Sequence, residues 1–232
     1  MSHLYPDKFE EPIFIVGCAR SYTSVVAGTI NLCGAWGGRM CGPHPTNPKG
    51  FFENLGLRAI TKTVLNSMGC DPRGQYPLAN PWNVPRIDIK DEIFKQLQSE
   101  GYQGGIWFYK EPKMAPIWPI FHTSFPKAKW VIVRRSKMDI CHSVLKTEFM
   151  NHKELQNLAG CKKWVEHHIK CMESMKGFVN WVEIWPEEMD NYPFIKRDRF
   201  YYLKGVLSFL GLEWNEEAVK DFVDLPLKKG NL

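Results

Sequence analysis

The sequence predicts an α/β fold, a parallel β-sheet flanked by helices on both faces. Three observations carry that prediction. Apolar runs rich in branched and aromatic residues stand at 12–17, 105–109, 130–133 and 178–184, as strands buried on both faces do. Stretches with helical spacing of apolar residues lie between them, and alternation of the two marks strand–helix–strand units. The chain has 232 residues, 44% hydrophobic and 24% charged, so one globular domain over residues 1–232 is expected.

Taken in order, Pro12 to Gly17 is the first strand, closed by a glycine. From Thr23 to Leu32 the pattern turns helical, and Gly34 suits the C-terminal cap. Glycine and proline crowd residues 34–50, which therefore form a loop. Asn54 caps a helix carrying Leu57, Ile60, Val64 and Met68 on one face, with Gly69 at its end. Pro72, Pro77, Pro81 and Pro85 make 70–90 a long irregular segment, of the kind that walls or covers a site. A short helix is expected over residues 93–101 and the second strand over 105–109. Pro116, Pro119 and Pro126 restrict the next stretch to short helical pieces. Trp130 to Val133 is the third strand. Ser136 and Asp139 fit a capping box that opens a helix running to Met150. A long helix over 155–175, a fourth strand over 178–184 and helices over 199–210 and 216–223 complete the expectation.

The 30 Lys and Arg residues exceed the 25 Asp and Glu by 5. That excess is too small for a dedicated nucleic-acid domain, but it suits the capture of a small anion in a cleft. No run approaches the roughly 18 apolar residues of a membrane span. The first twelve residues lack the apolar centre of a signal peptide. Seven scattered cysteines without a C-x-x-C pair point to reduced thiols and a cytoplasmic location.

Two segments carry chemistry. The first strand runs through Gly17-Cys-Ala-Arg20-Ser21-Tyr22-Thr23-Ser24 into a helix. Such a joint gathers backbone N–H groups at the positive end of a helix dipole, where phosphate or sulfate binds. The hydroxyls of Ser21, Thr23 and Ser24 add donors, and Arg20 adds a permanent charge. A plain turn fits the segment equally well. It is not a Walker A sequence, because Tyr22 and Thr23 replace its second glycine and its lysine. The second segment, Arg134-Arg135-Ser136-Lys-Met-Asp-Ile-Cys-His-Ser143, follows the third strand, where α/β sheets bind ligands. Eight helical residues rise about 12 Å, so Arg135 meets Ser143 only by folding along the helix. In isolation the two also read as a surface arginine and a packed serine.

Together these residues resemble a known family. The stretch from Ile15 to Ser24 is similar to the 5′-phosphosulfate loop of sulfotransferases that use 3′-phosphoadenosine 5′-phosphosulfate (PAPS). The stretch from Val133 to Ser143 is similar to their 3′-phosphate motif, an arginine followed eight residues later by serine. Asn47-Pro-Lys-Gly-Phe-Phe-Glu53-Asn resembles a segment of bacterial members, and Trp107-Phe-Tyr-Lys110-Glu-Pro-Lys resembles their strand ending in Lys-Asp-Pro-Arg. The four elements occur in the family's order and cover roughly residues 12–150.

The resemblance implies a P-loop NTPase-like sulfotransferase fold and a set of roles. Ser21, Tyr22, Thr23 and Ser24 would hold the 5′-phosphosulfate, and Arg20 would neutralise the leaving oxygen. Arg135 and Ser143 would grip the 3′-phosphate, and Lys110 would lie near the moving sulfuryl group. Glu53 is the expected base, although an acid at a helix start also stabilises the dipole; His44 and Glu111 are held in reserve. Lys228 and Lys229 faintly resemble a motif that closes over the 3′-phosphate, and they read equally as a solvated terminus. Tyr22 stands where the family has glycine, which implies φ > 0, a reshaped loop or a wall of the acceptor site. The expected reaction is sulfuryl transfer without a metal to a hydroxyl or amine of a small molecule or carbohydrate. The expected protein is a soluble bacterial-type or phage-type monomer or homodimer that uses neither nucleic acid nor membrane. A P-loop kinase-type phosphotransferase and a silent nucleotide-binding scaffold are the rival readings.

Overall fold

Four strands pair side by side, all parallel: β1 (Ile13–Gly17), β2 (Phe108–Lys110), β3 (Lys129–Val133) and β4 (Asn180–Ile184), in the order β2-β1-β3-β4. The structure is a computed structural model that describes residues 10–189 and 200–224. Lys228 and Lys229 lie outside the described residues. Register sets the useful edge of the sheet, because Ile15 pairs with Lys110, Gly17 with Val133, and Val133 with Ile184. The carboxyl ends of all four strands therefore open on one side.

Alternation along each strand builds two cores. Phe14, Val16, Tyr109, Trp130 and Ile132 enter one face, beneath α2 (Leu55–Ser67), α3 (Lys90–Ser99), α4 (Trp118–Ser124) and α6 (Leu158–Met175). Ile13, Ile15, Phe108, Val131, Val133 and Ile184 enter the other, beneath α1 (Thr23–Leu32), α7 (Tyr201–Leu210) and α8 (Glu216–Asp224). Each such buried side chain stabilises the fold by about 1.5–3 kcal/mol, so the alternation fixes register firmly. A third cluster, with Ile140, Cys141, Val144, Leu155 and Trp164, seats α5 (Lys137–Leu145) on α6 near the carboxyl edge. The predicted class holds.

Several expected boundaries move. The second strand begins at Phe108 because Gly104 and Gly105 take φ of 112° and 90°, which no strand adopts. The long helix starts at Leu158, where the Asn157 side chain accepts the Gly160 N–H at 2.9 Å; Leu155 lies in a preceding 3-10 turn. The helix after Ser136 stops at Leu145 rather than Met150. Its expected capping box does not form, since Ser136 makes no side-chain cap and its N–H donates to Glu187 instead.

Candidate active site

The turn after β1 is shaped by one close approach and two strained residues. A Cβ on Gly17 would stand 2.6 Å from Thr23 Cγ2 and 2.8 Å from the Val133 carbonyl, so only glycine lets the turn fold back on β3. Arg20 and Tyr22 have φ of 72° and 64°, with Ser21 outside that region between them. Alternation of this kind curls successive N–H groups into a nest for an anion. It costs about 1–3 kcal/mol per strained residue, and such strain concentrates at functional sites. Among the described residues, the N–H groups of Arg20, Tyr22, Thr23 and Ser24 donate no hydrogen bond. Tyr22 is the N-cap of α1 and offers no side-chain acceptor to them. The hydroxyls behave differently from one another. Ser21 Oγ is turned inward and donates to the Cys18 carbonyl at 2.6 Å, while Ser24 Oγ accepts from Asn47 Nδ2 at 3.0 Å and ties the turn to the 47–51 segment.

The two separate sequence motifs meet here. Arg20 Nε donates to Ser143 Oγ at 3.0 Å, and its Nη1 donates to the Thr46 carbonyl at 3.3 Å. Arg135 Nη1 donates to the Arg20 carbonyl at 2.9 Å, and its guanidinium lies 4.4 Å from the centre of the Tyr22 ring. Arg20, rather than an Arg135 folded along α5, is thus the residue that reaches Ser143. Tyr22 stacks on a cation and does not line the neighbouring cavity. Glu187, which the sequence reading passed over, bridges the cluster. One oxygen accepts from Arg135 Nε at 2.8 Å and the other from the Ser136 N–H at 3.1 Å. Arg20 has no acidic partner among the described residues; burial, and then the nearby Arg135, lower its pKa. Arg134, one residue earlier, is buried and pairs with Glu173 and Glu183, so its role is structural.

A cavity of about 360 Å³ adjoins the turn at Ala19. Glu53 and Arg58 on its lining belong to an ion-pair ladder that Lys110 closes from behind. Lys110, 2% exposed, donates to Glu53 Oε1 at 2.8 Å, and Arg58 reaches Glu53 Oε2 at 3.3 Å. Burial alone would raise the Glu53 carboxyl, but Lys110, Lys113 and Arg58 outweigh it and hold its pKa at about 2. Glu111 is fully enclosed and accepts from Lys113 Nζ at 2.6 Å and from the Tyr109 hydroxyl at 3.2 Å, which leaves it a structural carboxylate. His44 lies at the exposed rim, 2.9 Å from Thr46 Oγ1. Phe51, Phe149, Met150 and Trp164 form the apolar wall, with Gln75 from the proline-rich segment. His168 also lines the cavity. Burial lowers its pKa to about 4, so its ring is neutral, with Nδ1–H donating to the Trp164 carbonyl at 2.9 Å. Among the described residues, no cluster of three or more His, Cys, Asp or Glu is placed to hold a metal ion.

The expected residues therefore divide into two neighbouring groups, Arg20 to Ser24 with Arg135 and Ser143, and Glu53 with Lys110. Glu187, Arg58, Lys62 and His168 join them from segments without a motif. Only the four-residue spacing of Arg58 and Lys62 on α2 was a readable signal.

The fold is similar to that of the sulfotransferase domain from the Synechococcus olefin synthase, with TM-score 0.56 and 17% identity over 94% of this chain and 79% of that one. It is also similar to the sulfotransferase STF1 of Mycobacterium tuberculosis, with TM-score 0.50 and 13% identity over 93% of this chain and 71% of that one. At such identities the likeness is one of fold, the P-loop-like α/β sheet. None of the curated proteins compared with the chain matches it. The model of the sulfotransferase family matches residues 12–216, which takes in both charged clusters and nearly the whole described chain, and the protein belongs to that family.

Proposed function

We propose that the protein transfers a sulfuryl group from PAPS to a hydroxyl of a small acceptor, without a metal ion. The observation that carries this reading is Arg20. Its half-buried guanidinium has no acidic partner among the described residues, and its backbone opens a turn whose N–H groups donate no hydrogen bond there, beside a second arginine. A buried cation without counter-charge is unfavourable, so such a turn is completed by an anionic ligand. The cluster also suits a ligand with two anionic ends, because the Arg20 guanidinium is directed to Ser143 and Thr46 while that of Arg135 lies over the Tyr22 ring. When bound, PAPS supplies the activated sulfuryl group.

The chain's own residues then do the following. The N–H groups of residues 20 and 22–24 hold the 5′-phosphosulfate, and Arg20 stabilises charge that grows on the leaving oxygen. Arg135 and Ser143 hold the 3′-phosphate, for which Arg135 gives up Glu187. Lys110 turns from Glu53 to the sulfuryl oxygens. Glu53, released from its strongest partner, rises from its low pKa and takes the acceptor's hydroxyl proton, since a base works best with a pKa near the ambient pH. The acceptor oxygen bonds to sulfur as the bond from sulfur to the bridging oxygen breaks, and adenosine 3′,5′-bisphosphate leaves.

The test is transfer of radiolabelled sulfate from PAPS to a panel of phenols, alcohols, amines and sugars in the presence of EDTA. Transfer that Arg20→Ala slows by about 10²–10³-fold is expected. Phosphoryl transfer from ATP with Mg²⁺ and no sulfation would overturn the reading.

A further inference from the structure

The cavity beside Glu53 is not electrically balanced. Arg58, Lys62, Arg73 and Lys113 line it together with only two carboxylates, Glu53 and Glu111. Three of the cations have partners: Arg58 pairs with Glu53 at 3.3 Å, Lys113 with Glu111 at 2.6 Å, and Arg73 with Asp71 at 3.3 Å. Lys62 makes no ion pair or hydrogen bond among the described residues. Burial, and then the neighbouring Arg58 and Lys113, lower its pKa, and the Glu111 and Glu53 carboxylates offset this only in part. Lys62 follows Arg58 by four residues on α2, so the two side chains leave the same helix face about 6 Å apart along the axis. Phe51, Phe149, Met150 and Trp164 line the same cavity.

We propose that the acceptor is a small amphipathic hydroxy acid: its hydroxyl lies at Glu53, its apolar body on Phe51, Phe149 and Met150, and its anionic group on Lys62 beside Arg58. The proposal rests on reading the cavity as the acceptor site. A volume of about 360 Å³ is at the lower end of small-ligand sites, which suits one aromatic ring with a short acidic arm better than a sugar chain. The apolar wall supplies affinity, and the unmatched cation selects the anion over its neutral counterpart.

The experiment is titration calorimetry of the full chain with 4-hydroxyphenylacetate and with its amide, both with and without saturating adenosine 3′,5′-bisphosphate. The acid is expected to bind about ten-fold more tightly than the amide, as for a hydrogen bond to a charged group. Lys62→Ala should bring the two ligands to equal affinity, while Lys62→Arg keeps most of the preference. Equal binding of acid and amide in the unaltered protein, binding of neither, or a preference that survives Lys62→Ala overturns the proposal. Failure of the donor-site reading shows separately, as an absence of binding by the bisphosphate itself, and the acid–amide comparison is still read from the titrations run without it.

Discussion

Two charged clusters sit at the same edge of the sheet, and they differ in what neutralises them. Around Lys110, Glu53 and Arg58 the charges answer one another, are largely buried, and are held by direct ion pairs of 2.8 and 3.3 Å. Around Arg20 and Arg135 the cations are held by a hydroxyl, by backbone carbonyls and by the partly exposed Glu187. The first cluster fixes shape, since removing one member strands the other in the interior. The second is provisional, because each of its bonds can be exchanged for a bond to an anionic ligand at little cost to the fold. A single sheet edge thus carries one group of charges that answer one another until the reaction draws Lys110 from Glu53, and another that stands ready to re-pair with a ligand.

The sharpest way to break this comparison is Glu53→Gln. It strands Lys110, so it should lower stability by about 3–5 kcal/mol and sulfation by about 10²–10⁴-fold, as read by denaturant unfolding and by rate. Because the folded carboxyl titrates near 2 rather than 4.5, its stabilisation is complete above pH 4.5 and is lost as pH falls through about 2. The stabilities of the unaltered and variant proteins should therefore converge over that interval. A constant gap would show that the pair is not what holds the site. Replacing both partners at once, Glu53→Leu with Lys110→Met, should recover much of the stability and none of the activity.

Arg20→Ala is the converse. Sulfation should fall about 10²–10³-fold, while unfolding free energy changes by less than about 1 kcal/mol. A large loss of stability would place Arg20 with the fixed cluster instead. Smaller is the effect of Glu187→Gln, which frees Arg135 and should tighten adenosine 3′,5′-bisphosphate binding by up to about five-fold in calorimetry. Weaker binding would mean that Glu187 orients Arg135 for the ligand. Smallest is Tyr22→Gly, in which relief of a positive φ and loss of the stacking on Arg135 oppose each other, so stability should move by no more than about 1 kcal/mol.

The same division explains what the sequence made legible. Strands such as Ile13–Gly17 and Lys129–Val133 were readable because burial on both faces leaves an unbroken apolar run. The turn from Gly17 to Ser24 was readable as a strand–turn–helix joint because its glycine and helix start are local features, whereas the Arg135–Ser143 interval gave the right neighbourhood but the wrong partner, since Arg20 is the residue that reaches Ser143. The Lys110–Glu53 contact joins residues 57 apart, and Glu187 reaches Arg135 across 52 positions. No periodicity reports pairings that only the sheet order creates. The capping box failed for a related reason. Its local hydrogen bond competes with a tertiary carboxylate, and Glu187 wins the Ser136 N–H.

The division between fixed and provisional charge is tested most directly at Arg135, by calorimetry with adenosine 3′,5′-bisphosphate and adenosine 5′-monophosphate in EDTA. The unaltered protein should prefer the bisphosphate. Arg135→Ala should erase that preference, a loss of about 1.5–3 kcal/mol or roughly 10- to 150-fold, without moving the monophosphate. Equal affinity for the two nucleotides in the unaltered protein, or a preference that survives the substitution, would contradict it.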